Sequence, residues 1–124
     1  MRTFRRFRRD LQEIRRARRF VAAALTAHGA RPTDEVLLVA SELVTNAVRH
    51  GQGEVELHVE VAGAAVRIEV IDDGAVDVAA PVPHPPVEHV GGLGLHLVRS
   101  VARRWGTGRD PGGRTLVWAE LNAG

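Results

Sequence analysis

Ser41-Glu42-Leu43-Val44-Thr45-Asn46-Ala47-Val48-Arg49-His50-Gly51 is the stretch on which the reading of this chain turns. Its periodicity is helical. At about 100° per residue from Val36, the side chains of Val36, Ala40, Leu43 and Ala47 cluster near zero, and Leu37, Val44 and Val48 lie about 100° away. Glu35, Glu42 and Asn46 share one flank outside that apolar stripe. A helix docked by its stripe therefore offers Glu42 and Asn46 together at the edge of whatever it covers. By themselves these two read equally as a solvated acid and an ordinary polar residue near a helix end.

Working outward, Pro32-Thr33-Asp34 starts this helix and Gly51 stops it. A preceding helix is predicted from Leu11 to about His28, with Leu11, Ile14, Ala17 and Val21 turned inward. Asp10 and Glu13 would form its capping box, and Gly29 its C-cap. Thr3 to Arg9 reads as a short edge strand or a frayed lead-in. After Gly51, Glu54 to Val61 alternates polar and apolar strictly, which predicts a strand with one wet face. A turn at Ala62-Gly63-Ala64 leads to a second strand, Ala65 to Ile71. Residues 75–90 hold four prolines and read as a long loop. A third helix is predicted from Leu93 to Trp105, with Leu97, Val98, Val101 and Trp105 on one arc, and a last strand from Thr115 to Leu121. The fold class is α+β: a two-layer sandwich of three helices on one face of a mainly antiparallel mixed sheet.

Composition narrows the function. The 124 residues suit one domain, 10–124, after an arginine-rich lead-in at 1–9; 44% hydrophobic and 26% charged residues make it globular. No cysteine is present, so disulfides and thiolate metal sites are excluded. The absence of lysine excludes a Schiff-base enzyme and a Walker A loop. The longest early apolar run, Phe20 to Leu25, is too short for a membrane span, and a cytoplasmic protein is expected. Residues 1–20 carry nine arginines against two acids, while residues 21–124 carry eight against thirteen. That basic start is either an arm for nucleic acid or an acidic partner, or the wet face of the first helix. The helical spacing favours the second, and few aromatics are available for base stacking.

Two further motifs change the reading of Glu42 and Asn46. Asp72-Asp73-Gly74 ends an apolar strand, where a carboxylate is a pure acceptor suited to an exocyclic amine and Gly74 permits close backbone approach. Gly91-Gly92-Leu93-Gly94-Leu95 enters the third helix and leaves free amides to face an anion. Each is commonplace; the three in this order are not.

Together they resemble the GHKL ATPase superfamily, and most closely its anti-sigma-factor serine/threonine kinase branch. The N box is carried by Glu42 to His50, the G1 box by Asp72 to Gly74 and the G2 box by Gly92-Leu93-Gly94-Leu95; Arg104-Trp105-Gly106 and Gly113 to Trp118 are also similar to that branch. The resemblance implies that Asn46 ligates Mg²⁺, Glu42 is the catalytic base and Asp72 reads the adenine of ATP. Gly74, Gly92 and Gly94 would shape the pocket, Leu93 and Leu95 would belong to its G2 wall, Thr115 would support the adenine contact, and residues 75–91 would form the ATP lid. It further implies a kinase that sequesters a sigma factor and phosphorylates a STAS-type antagonist, in a branch whose members are commonly dimers. A non-catalytic ATP-binding regulator is the alternative. Leu93 stands where the branch often has arginine; Arg99, Arg103 and Arg114 are the candidates to replace it.

Overall fold

Thr33 and Gly51 bracket the element around which the rest is arranged. The Thr33 Oγ1 accepts the Val36 amide at 3.3 Å, and Asp34 and Glu35 complement the dipole of helix α2, Asp34–His50. The computed structural model describes residues 1–74 and 93–122, with residues 93–96 described by backbone only. In chain order the other elements are β1 (Arg2–Phe7), α1 (Ile14–Ala27), β2 (Val55–Ala62), β3 (Ala65–Asp72), α3 (Leu93–Val101), β4 (Arg104–Arg109) and β5 (Thr115–Asn122). The five strands form one sheet in the order β1-β2-β3-β5-β4, every described pairing antiparallel. No described helix is long and apolar enough to cross a membrane.

The strand alternation sorts the sheet into two faces. Val55, Leu57 and Val59 on β2, Val66, Ile68 and Val70 on β3, and Ala119 on β5 are buried against Val21, Leu25, Val36, Leu43 and Val44 of the helices. This apolar layer is the main source of stability, because each fully buried aliphatic side chain contributes roughly 1.5–3 kcal/mol. The opposite face carries charge in register. Arg2, Glu60, Arg67, Glu120 and Arg104 lie side by side across all five strands, alternating in sign. Arg67 bonds Glu69 at 2.6 Å and Glu120 at 2.7 Å, and its guanidinium lies 4.1 Å from the Trp118 ring. Further along β2, Glu56 takes Arg114 at 3.0 Å, His58 at 2.8 Å and Arg6 at 3.1 Å.

Three expectations need correction. Helix α3 ends at Val101 rather than Trp105, and a strand absent from the sequence reading, β4, begins at Arg104. Trp105 is the inward residue of that strand, opposite Ala119, so it extended the helical arc by coincidence of phase. Two glycines disguised the strand. A Cβ at Gly106 would come within 2.9 Å of Trp118 Cζ2, so any side chain there would have to displace the indole ring. The start of α1 also differs: Asp10 Oδ1 accepts the Gln12 amide at 2.9 Å and caps a single 3₁₀ turn, Leu11–Glu13. That turn rotates Leu11 out of the apolar arc, leaving it 52% exposed instead of inward. Glu13 makes no capping bond and pairs with Arg16 at 3.1 Å.

The Arg114 guanidinium, with His58 and Arg6, holds the Glu56 carboxyl at about 2 against an ordinary 4.5. A carboxylate so lowered contributes stability that is complete above its unfolded value and is lost as the pH falls through its folded one. Thermal unfolding should therefore show a midpoint that drops between about pH 4.5 and 2 more steeply in the native protein than in Glu56→Gln. Equal slopes would show that the carboxylate contributes nothing to the fold.

Candidate functional site

Helix α2 and strand β3 end beside one another, and a cavity of about 190 Å³ opens between them. Its lining is Leu43, Ala47, Val70 and Val117 on the apolar side, with Asn46, His50, Asp72 and Thr115 on the polar side and Gly51, Gln52 and Gly74 at the junction. The helical phase that buries Leu43 and Ala47 carries Asn46 to the rim, because residues three and four apart share a face. Strand register does the same for the opposite wall, where Asp72 faces Thr115 directly across β3 and β5.

Asp72 is 5% exposed, while Asp73 points to solvent. The Asp72 Oδ1 accepts the Gly74 amide at 2.6 Å and the Gln52 amide at 3.3 Å. Thr115 Oγ1 donates to the Gly74 carbonyl at 2.7 Å, closing a small ring of bonds that sets the G1 turn. Burial pushes the Asp72 carboxyl up, and the Gly74 and Gln52 amides and the Arg9 charge oppose that push. An acid raised in this way makes the fold less stable at neutral pH than a neutral isostere would. A buried carboxylate held at such a cost beside a cavity is a mark of function.

Asn46, Asp72, Gly74 and Thr115, named from the sequence, thus meet at one cavity. Glu42 does not line it; the side chain is half-buried one turn earlier on α2. Gly92 and the segment 75–91 lie outside the described residues, and Leu93, Gly94 and Leu95 are present only as the first turn of α3. The arginines considered as substitutes at the G2 box are not at the cavity. Arg114 crosses the opposite sheet face to Glu56 and Asp110, Arg103 bonds Asn122 Oδ1 at 3.0 Å, and Arg99 is exposed on α3.

Gly51, Gln52 and Arg9 are the residues that sequence reasoning missed. Sequence marks Gly51 only as a helix stop, and its φ of −92° is open to any residue. The constraint is space: a Cβ would lie 2.6 Å from the Ala47 carbonyl oxygen and 2.6 Å from Asp72 Cγ. The signal was a glycine at the helix end, and only the tertiary contact gives it this meaning. Gln52 and Arg9 carry no signal in sequence, since their roles depend on contacts 20 and 39 residues away.

Two substitutions test this geometry. Asp72→Asn keeps an Oδ1 acceptor for both amides, so its thermal midpoint should equal or exceed that of the native protein. Affinity for an amine-bearing base should nonetheless fall at least about tenfold, the scale of a hydrogen bond to a charged group. Gly51→Ala should displace the carboxylate, lowering stability by roughly 1–3 kcal/mol and weakening the same ligand. Unfolding curves and calorimetric titrations read both.

Comparison with known proteins agrees with this arrangement. No curated protein matches the chain. A family model for the histidine kinase-like ATPase domain matches residues 7–119, almost the whole sequence and every wall of the cavity. This chain therefore belongs to the histidine kinase-like ATPase domain family.

Proposed function

We propose that this protein binds ATP with Mg²⁺ and acts as an anti-sigma-factor-type serine/threonine kinase, holding a sigma factor and phosphorylating the antagonist that releases it. The observation that carries the nucleotide half is the cavity joining Asn46, Asp72, Gly74 and Thr115 to an apolar floor of Leu43, Val70 and Val117. At about 190 Å³ it is smaller than the roughly 300–1,000 Å³ of whole-ligand pockets and suits one planar base. Asp72 then accepts the exocyclic amine of adenine, and the phosphates extend past Asn46 towards the first turn of α3.

The donor set fits a phosphate-borne Mg²⁺. No group of three or more acidic or histidine side chains suited to a metal occurs among the described residues. One neutral oxygen, from Asn46, is what an ion already carrying phosphates and waters requires. Mg²⁺ would supply charge neutralisation at the phosphates. Glu42 takes the proton of the attacking serine or threonine hydroxyl, whose oxygen receives the γ-phosphoryl group as ADP leaves. Added phosphate charge at the antagonist's docking surface then weakens its contact with this protein.

Two observations favour a second reading. Glu42 lies outside the lining of the cavity, and Leu93 stands where the resembled branch often has arginine. A regulator that binds ATP without turnover would show both features, its bound nucleotide shifting the balance between two partner affinities.

Labelled ATP, Mg²⁺ and a STAS-type antagonist protein separate the two. A kinase transfers label, and Glu42→Ala cuts the rate by about a hundredfold or more while ATP affinity is retained. Absence of transfer by the native protein, with ATP bound normally, leaves the regulator.

A further inference from the structure

Arginines dominate the first nine residues, and one of them reaches the cavity's frame. In an uninterrupted helix the Val48 carbonyl would accept the amide four residues on, that of Gln52. Helix α2 ends at His50, and Gly51 is extended at φ −92°, ψ −167°. The Gln52 amide is thereby carried to Asp72 Oδ1 at 3.3 Å. Ala47 keeps its partner, the Gly51 amide at 2.8 Å, but Val48 loses the usual one. Arg9 takes its place: Nη1 donates to the Val48 carbonyl oxygen at 3.0 Å. A cation at a helix C-terminus also complements the dipole.

We propose that Arg9 is a positioning residue of the nucleotide site: by satisfying the Val48 carbonyl it lets the end of α2 release the Gln52 amide, which holds Asp72 in place. This rests on Asp72 as the carboxylate that reads adenine. It gives the basic start of the chain a role within the domain. The titratable and charged groups around Asp72, among the described residues, are Asp73 next in the chain, Arg9 from the N-terminal segment and His50, which lines the same cavity. The Asp73 charge raises the Asp72 carboxyl and the Arg9 charge lowers it.

The test uses Arg9→Gln and Arg9→Lys, with Arg8→Gln as a control that removes the same charge from an exposed neighbour. Two measurements are made: the Asp72 carboxyl titration by NMR without nucleotide, and ATP affinity by calorimetry in native and Asp72→Asn backgrounds. Arg9→Gln should move the carboxyl titration to higher pH and weaken ATP about tenfold, as for a lost bond from a charged donor. In the Asp72→Asn background that loss should vanish. Arg9→Lys should restore most of the titration, and Arg8→Gln should leave ATP affinity within about twofold, as for an exposed charge. An unmoved titration in Arg9→Gln, or an equal loss of ATP affinity without Asp72, overturns the proposal. If the native protein ignores ATP, the functional reading fails instead, and the titration still decides the role of Arg9.

Discussion

The end of α2 packs directly on the Asp72 carboxylate at the end of β3, with no side chain reaching from the helix end, because the residue at the contact is Gly51. That approach brings the Gln52 amide to the Asp72 oxygen that already accepts the Gly74 amide within its own turn. It also creates the wall on which Asn46 and His50 stand. Any side chain at position 51 would have to displace either the helix backbone or the carboxylate. Cavity shape and Asp72 orientation are thus two results of one steric constraint.

A sheet with two unlike faces holds that contact in place. On the helix side the constraint is packing: the apolar layer from Val55 to Leu121 fixes where α2 lies, to the tolerance of a close-packed interior. On the open side it is ionic. Isolated exposed pairs contribute little to stability. Glu56 and Glu69 are different, since each is under 10% exposed and has at least two cationic or imidazole partners. Arg114 ties the start of β5, and so Thr115 at the cavity, to β2 two strands away. The outer network therefore braces the strand ends that form the site.

The arginine-rich start is divided among several tasks. Arg2 and Arg6 belong to the outer ionic face, Arg5 lies over the Phe20 ring at 5.3 Å, and Arg9 caps α2. A charge excess that sequence could describe only as a basic arm or a wet helix face resolves into separate contacts. Strand β1, which two phenylalanines left undecided between edge and lead-in, is an edge strand paired along its length with β2.

What sequence determined by itself was whatever repeats at a short, regular spacing. The period of α2 placed Asn46 beside Leu43 and Ala47, the alternation in β2 sorted its polar face from its apolar one, and the Asp72-Asp73-Gly74 turn marked the strand end. These follow from backbone geometry, which imposes its period on any chain. Tertiary structure decided the rest. The strand at Arg104–Arg109 was hidden because Gly106 answers to the Trp118 ring and Trp105 falls in helical phase. Leu11 left its arc because a 3₁₀ turn preceded the helix. Gly51, Gln52 and Arg9 acquired meaning only through partners distant in sequence, and no local pattern encodes which distant residue will be met.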